Sequence, residues 1–490
     1  MHAQQHHYEH PVDEAARSAL LAELAALLPA ASLLVDFEDL KPYECDGLTA
    51  YRELPLAVAL PADEAQVVAI LEACHRHRVP VVARGAGTGL SGGATPVTDG
   101  VVLSLAKFMR IIEVDPAART ARVQPGVRNV AISEAAAPYG LYYAPDPSSQ
   151  IACTIGGNVA ENSGGVHCLK YGLTVHNILR LRVALIDGTV VDIGSDALDA
   201  PGYDLLAVMV GSEGMLGVVL EATVKLTPKP QVAQVVMASF DDLVKAGNAV
   251  ADIIAAGIIP AGLEMMDKPA TAAVEDFVHA GYDLSAAAIL LAESDGTPEE
   301  VAEEIAAMRA VLEKAGAREL RVSQSEAERL KFWAGRKAAF PAVGRITPDY
   351  LCMDGTIPRK HLAHVLTEIG RLAQRYRLRC ANVFHAGDGN LHPLIMFDAS
   401  HGDELERATE FGARILELSV DVGGTITGEH GVGIEKVRQM CVQFSPEELA
   451  AFHALKEAFD PPRLLNPGKA VPVPRHCSEY RLTGSARDAA

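Results

Sequence analysis

The sequence predicts an α+β protein built of several packed units, and three observations carry that expectation. The chain has 490 residues, roughly three times a typical ~150-residue domain. Residues 54–230 form a glycine-dense, β-rich region. Beyond Pro230 strand-like and helical patterns alternate, as in a sheet domain with helices on one side. Hydrophobic residues make up 49% and charged residues 22%, with Gly 41 and Pro 28, which excludes disordered and fibrous classes. With 43 basic and 63 acidic residues the net charge is −20, so nucleic acid and acidic membrane surfaces are disfavoured as partners.

In chain order, residues 12–28 carry apolar side chains at helical spacing (Ala15, Ala19, Leu20, Leu24, Leu27) and stop at Pro29. His2, His6, His7 and His10 resemble a metal-binding tract in composition alone, and a frayed terminus is the expectation. Residues 63–77 read as a capped amphipathic helix, 79–84 as a strand, and 101–105, 111–114 and 120–123 as short strands. Residues 181–186 and 189–193 flank Asp187-Gly188 as a hairpin, and 217–226 completes the region. In the second half, 231–240, 286–291, 379–385 and 391–397 are strand-like, while 241–256, 298–315, 361–377 and 403–422 are helical. The expected divisions are an N-terminal helical segment (1–53), the glycine-dense β-rich domain (54–230), an α+β sheet domain (231–440) and a C-terminal helical segment (441–490).

No run of 18 apolar residues occurs, and the first thirty residues lack a basic start followed by an apolar block. Eight cysteines (45, 74, 153, 168, 352, 380, 441, 477) are scattered without a CxxC pair, which excludes an iron–sulfur site and predicts reduced, buried thiols. The expectation is a soluble cytoplasmic chain.

Two groups of residues carry chemistry. The first is a set of glycine loops. Arg84-Gly-Ala-Gly-Thr-Gly-Leu-Ser-Gly-Gly93 follows a strand, and its glycines let backbone N–H groups converge on an anion. It matches GxGxxG formally, but it leads into the strand 101–105 and opens no helix, so the dinucleotide-fold reading fails. Further small-residue loops at 145–149, 154–165 and 211–217 imply an extended ligand lying along backbone, with Asn side chains as donors.

The second group begins at His385-Ala-Gly-Asp-Gly-Asn-Leu-His392, which places imidazoles at both ends of a turn. If the flanking strands pair, the two rings face each other with Cβ atoms ~5 Å apart. Thr427-Gly-Glu-His-Gly-Val-Gly433 adds Glu429 and His430. Two His and one Glu form a three-ligand set that leaves coordination positions open, while two structural turns are the competing reading. Asp388 and Asn390 are assigned to turn shaping. Arg336, in Trp333-Ala-Gly-Arg-Lys337, is either a bidentate carboxylate grip or part of a solvated basic face. Trp333 is assigned to packing.

The order of RGAGTGLSGG, PDPSSQIACTIGGNVAENSGG, YGLTVHN and GSEGMLG resembles the FAD-binding domain of the vanillyl-alcohol-oxidase-like (PCMH-type) flavoproteins. With the C-terminal motifs the chain is similar to the FAD-linked subunits of bacterial glycolate oxidases, over most of its length. That resemblance implies a PCMH-type FAD-binding domain, an α+β substrate domain and FAD contacts at Gly85, Ala86, Gly87, Thr88, Gly89, Leu90, Ser91, Pro147, Ser148, Gly156, Gly157, Asn162, Gly164, Val218 and Asn466. Thr88 stands where some relatives attach the flavin through His, so a non-covalent FAD is implied.

The resemblance also implies Zn²⁺ or Mn²⁺ at His385, His392 and Glu429, His430 as general base and Arg336 on the substrate carboxylate. An unperturbed imidazole pKa near ~6.5 suits the base role. Relatives acting on larger diacids carry extra polar residues where this chain has Phe340-Pro341, Tyr350-Leu-Cys-Met353 and Pro393-Leu394. A small monocarboxylate, glycolate or D-lactate, is therefore expected. The implied partner is a separate iron–sulfur subunit feeding a membrane quinone chain, which allows peripheral association with the cytoplasmic face of the inner membrane; direct use of oxygen stays open. The alternatives are a D-lactate dehydrogenase of the same family, a metal-dependent hydrolase whose glycine loops hold a phosphate ester, and a non-catalytic flavoprotein subunit.

Overall fold

The computed structural model describes residues 12–197, 202–473 and 477–478; the histidines at positions 2, 6, 7 and 10 lie outside the described residues. The chain forms two compact units. One comprises Met1–Ser163, Leu173–Pro228 and His430–Ala490, and the other Gly164–Gly172 with Lys229–Glu429.

In the first unit, Asp13 caps the helix Glu14–Leu27 by accepting from the Ala16 N–H at 2.7 Å. This helix does not stand apart as a separate segment. Leu20 and Leu24 are fully buried in one core with Val67, Ile70, Leu71 and Cys74 of the helix Glu64–His77. Leu464 and Leu465 from the C-terminal stretch join the same core. An apolar stripe of that length has to be covered, and the glycine-loop region supplies the cover.

A four-stranded sheet follows the order Leu33–Leu34, Ala57–Ala59, Val101–Ser104, Val81–Arg84, the last three running parallel. Val101–Ser104 is buried at every position, which explains a continuous apolar run where alternation would mark a half-exposed strand. A five-stranded antiparallel sheet follows the order Ile111–Asp115, Thr120–Val123, Val218–Lys225, Ile178–Ala184, Val190–Gly194. Its last two strands are the hairpin read from Asp187-Gly188; Gly188 sits at φ 85° and Asp187 accepts from the Thr189 N–H at 2.9 Å.

Cys441 and Cys477 form a disulfide, whereas Cys45, Cys74, Cys153, Cys168, Cys352 and Cys380 are free thiols. The expectation of uniformly reduced cysteines is corrected for this pair. Residues 36 apart in sequence come to 5.2 Å between Cα atoms, inside the bridging range.

The second unit is a seven-stranded antiparallel sheet in the order Glu319–Val322, Val232–Phe240, Ala288–Gly296, Gly262–Asp267, Arg379–Phe384, Pro393–Phe397, Asp349–Cys352. One face buries Val235, Met237, Ile289, Leu291, Val383 and Leu394 with residues of the helices Lys268–Val278, Glu326–Lys337 and Ala339–Val343. The intervening Val236, Ala238, Leu290 and Ala292 are fully buried as well. Both faces are therefore covered, not one. The run Ala288-Ile-Leu-Leu-Ala292, apolar at every position, is the local sign of it. The strand Gly262–Asp267, unread from sequence, lies at the centre of this sheet.

Candidate active site

In the second unit the strand Arg379–Phe384 stops just before His385 and Pro393–Phe397 starts just after His392. The two strands pair antiparallel, with Asn382 opposite Pro393, so both imidazoles reach the same edge. Their centroids are 5.1 Å apart and their planes 82° apart. Gly389, at φ 80°, allows the N–H groups of Asp388 and Gly389 to donate to the His385 carbonyl.

A second turn is brought to the first by Asp354, a fully buried carboxylate. It accepts from Thr427 Oγ1 at 2.5 Å, from the Gly428 N–H at 3.0 Å, from the Glu429 N–H at 3.2 Å and from Asn390 Nδ2 at 2.8 Å. Glu429 Oε1 then lies 3.1 Å from His385 Nε2 and 3.2 Å from His392 Nε2, and ligand atoms of the three residues fall within 4.8 Å of one another.

Burial lowers the His385 pKa, but the Glu264 and Glu429 carboxylates override it and raise the value to about 10. Burial raises the Glu429 pKa, and the two histidines more than offset this, holding it well below the ordinary range. Asp388 is pushed up to about 7, by burial first and then by the nearby Glu264 and Glu429 charges against the His385 imidazole. Two imidazole nitrogens and a carboxylate oxygen converging on one point are a donor set that fits a divalent cation with open positions.

Glu264, on the central strand Gly262–Asp267, is the residue that sequence reasoning missed. Met265 pairs with Phe384 and Met266 with Val383, so the next step along the register puts Glu264 across from His385. It is 1% exposed. Its Oε1 lies 2.7 Å from His385 Nδ1 and its Oε2 accepts from Arg336 Nε at 2.6 Å. Arg336 is itself 2% exposed, so it is not part of a solvated face. Its Nη2 is buried and makes no hydrogen bond among the described residues.

The helix Glu326–Lys337 that carries Arg336 is fixed by Glu293, which accepts from Trp333 Nε1 at 2.5 Å and from Arg329 Nη1 at 2.8 Å. The apolar positions singled out in the sequence line the same region. The Phe340 ring lies edge-on to His392 at 6.5 Å and 6.1 Å from Tyr350, and Cys352, Met353 and Leu394 are buried.

In the first unit, the loop after Val81–Arg84 meets Thr154 and the first turn of the helix Ile155–Glu161. A Cβ on Gly85 would collide with Thr154 Oγ1, and one on Gly156 would come within 2.6 Å of Pro125 Cβ. Gly87 is at φ 70°. Ser91 Oγ and Thr154 Oγ1 are buried with no hydrogen-bond partner among the described residues, as expected of a cradle shaped for a ligand. Ala86, Thr88, Gly89 and Leu90 complete the loop. Pro147 is buried, Ser148 is exposed, Gly157 lies in the helix Ile155–Glu161, and Val218 opens the strand Val218–Lys225.

Two Asn assigned to the flavin have other partners. Asn162 Oδ1 accepts from the Val175 N–H at 2.9 Å. Asn466 Nδ2 donates to the Gly93 and Glu213 carbonyls, and its Oδ1 accepts from Lys469 Nζ. Gly164 falls in the second unit, apart from the other positions assigned to FAD. The chain passes from Glu429 directly to His430, the first residue of the last stretch of the first unit. Glu213, in the Gly211-Ser-Glu-Gly214 loop, accepts from the Val432 and Gly433 N–H groups at 2.7 Å each, which anchors the turn behind His430.

Residues 55–194 match the FAD binding domain and residues 229–470 the C-terminal domain of FAD linked oxidases. The chain is 62% identical over 464 residues to the glycolate oxidase subunit GlcD of Escherichia coli (strain K12), covering 95% of this chain and 93% of that protein. It is 42% identical to the glycolate oxidase subunit GlcD of Bacillus subtilis, over 87% of this chain and 91% of that one. A D-lactate dehydrogenase of Anaerostipes hadrus is 32% identical, over 89% of this chain and 94% of that one. Among solved structures, p-cresol methylhydroxylase with substrate bound superposes with TM-score 0.79 at 18% identity, covering 94% of this chain and 98% of that one. A 4-ethylphenol oxidase from Gulosibacter chungangensis gives 0.80 at 16%, covering 95% and 99%. The likeness to these two is one of fold.

Proposed function

Because the chain belongs to the FAD-linked oxidase family, we propose that it is an FAD-dependent dehydrogenase that oxidises glycolate to glyoxylate, or another small 2-hydroxy acid to its 2-oxo acid. The observation that carries this reading is the pairing of Arg336 and His385 on the two oxygens of Glu264, which puts an unspent guanidinium donor next to a metal-type ligand set. FAD held by the glycine loops would supply the hydride acceptor for Cα, and a divalent ion held by His385, His392 and Glu429 would make the substrate hydroxyl more acidic.

The chain's own residues do the rest. Arg336 offers Nη2 to the substrate carboxylate in a buried setting, where a charge-assisted hydrogen bond is strongest. His430 accepts the hydroxyl proton, so a 2-hydroxy acid loses one proton and one hydride to become a 2-oxo acid. Phe340 and Leu394 offer no partner for a second carboxylate and Tyr350 only a single phenol hydroxyl, which favours glycolate or D-lactate over diacids. Residues Gly85 to Ser91 hold the FAD diphosphate on backbone N–H groups, Gly156 and Gly157 lie against the flavin, and Thr88 leaves the flavin dissociable. Asn466 acts through the loop backbone it binds.

The substrate assignment draws on relatives named as glycolate oxidase subunits at 62% and 42% identity. The cysteines of the chain lack cluster spacing, so the electrons are assigned to a separate iron–sulfur subunit. Among the described residues no helix is long and apolar enough to cross a membrane, and any membrane association runs through partners. FAD-family membership takes the place of the hydrolase alternative.

Stopped-flow reduction of the flavin by glycolate tests the assignments. His430→Ala is expected to slow reduction by about 10²–10⁴ with FAD content unchanged; reduction at the wild-type rate would remove His430 as the base.

A further inference from the structure

Glu264 lies outside every role assigned so far, yet it is the anion that two of those roles share. A carboxylate that is 1% exposed needs a partner for each oxygen, and Glu264 devotes Oε1 to His385 Nδ1 at 2.7 Å and Oε2 to Arg336 Nε at 2.6 Å. Both bonds have consequences at the far end of the partner. An acceptor on Nδ1 holds a proton there and fixes the ring so that Nε2 faces Glu429, 3.1 Å away, as the nitrogen that would ligate a bound ion once its own proton is displaced. An acceptor on Nε fixes the rotation of the guanidinium plane and leaves the Nη end for another anion, consistent with the unbonded Nη2.

We propose that Glu264 is the positioning residue that sets the metal ligand His385 and the carboxylate clamp Arg336 in mutual register. It touches neither metal nor substrate and acts only through these two side chains. It lies on the central strand of the seven-stranded sheet, one step beyond the Met265–Phe384 pair, and that strand is paired on both sides, so both side chains are held from a regular element. Glutamine cannot substitute. An amide has one acceptor oxygen, so either His385 or Arg336 would face an N–H₂ group, donor against donor.

This inference rests on reading His385, His392 and Glu429 as a metal site. Its test uses the full chain with FAD bound, stripped by a chelator and titrated with Zn²⁺. Glu264→Gln is expected to weaken Zn²⁺ binding by about 10- to 100-fold. At saturating Zn²⁺ it is expected to raise KM for glycolate by about tenfold, with a smaller effect on kcat, while FAD content stays at the wild-type level. A Glu264→Gln protein that binds Zn²⁺ as tightly as wild type and keeps its KM would overturn the role of Glu264 and leave the metal reading standing. Wild-type protein that takes up no Zn²⁺ would overturn the metal reading itself. Should Glu264→Gln not fold, Arg336→Met removes the competing cation without touching a metal ligand. It leaves the whole Glu264 charge to His385 and is expected to tighten Zn²⁺ binding several-fold. An unchanged dissociation constant would sink the proposal.

Discussion

Asp267 shows how burial at a single residue turns into a pH dependence. It accepts from the Ala270 N–H at 3.0 Å as N-cap of the helix Lys268–Val278 and from Asn382 Nδ2 at 2.7 Å. Burial outweighs these bonds and pushes its pKa from 3.8 up to about 6. A value raised in the folded state means that stability is fully present below pH 3.8 and is lost as the pH rises through 6, because the folded chain must then carry a buried charge. Asp267→Asn keeps the cap and removes the ionisation. Denaturant unfolding of the two proteins from pH 4 to 7 should show the variant gaining on wild type, by up to about 3 kcal/mol; parallel profiles would contradict this assignment. The residues that sequence left unread share one property with this kind of group: their partners are remote. Glu264 meets Arg336 and His385 across 72 and 121 residues, and Glu213 meets Val432 across 219. No local pattern marks such residues, whereas His385 and His392 sit in one contiguous turn and can be read from it.

At the scale of elements, the glycine loops and the hairpins were legible because the backbone itself demands particular residues. Gly188 at φ 85° and Gly87 at φ 70° occupy conformations that side chains disfavour, and a reader of sequence sees the glycines. The strand Gly262–Asp267 was not legible. It is buried at every position, so it lacks alternation, and its Glu and Asp argue against a core strand until their buried partners are known. Packing is also what makes Gly156 intolerant. Its N–H donates to the Pro125 carbonyl at 2.9 Å, and a Cβ there would lie 2.6 Å from Pro125 Cβ. Gly156→Ala must therefore move the first turn of the helix Ile155–Glu161, and it should purify with FAD content reduced by about tenfold or more. Gly370→Ala, on the helix Leu362–Tyr376 with no atom within 4 Å of the new Cβ, is the control. Equal flavin absorbance in both variants would show that this turn does not hold the cofactor.

For the molecule as a whole, a chain of net charge −20 that handles a small anion has to hold cationic groups where the anion binds. Arg336 is buried beside Glu264 and its charge is balanced by that carboxylate, so the proposed divalent ion at His385, His392 and Glu429 would be what leaves the pocket positive. The fold class and the succession of a glycine-loop region by a sheet domain were legible from composition and periodicity. The capture of Gly164–Gly172 by the second unit was not, because it depends on Lys170 and Tyr171 meeting Asp295 across 125 and 124 residues. The central claim, an FAD-dependent dehydrogenase of small 2-hydroxy acids with a metal-assisted pocket, is tested most directly by anaerobic bleaching of the flavin with glycolate, D-lactate, L-lactate and D-2-hydroxyglutarate, before and after chelation. The account predicts rapid bleaching by glycolate or D-lactate, little by D-2-hydroxyglutarate, and a marked slowing after chelation that added Zn²⁺ or Mn²⁺ reverses. A flavin that stays oxidised with all four acids, or that bleaches at the same rate with and without metal, would contradict it.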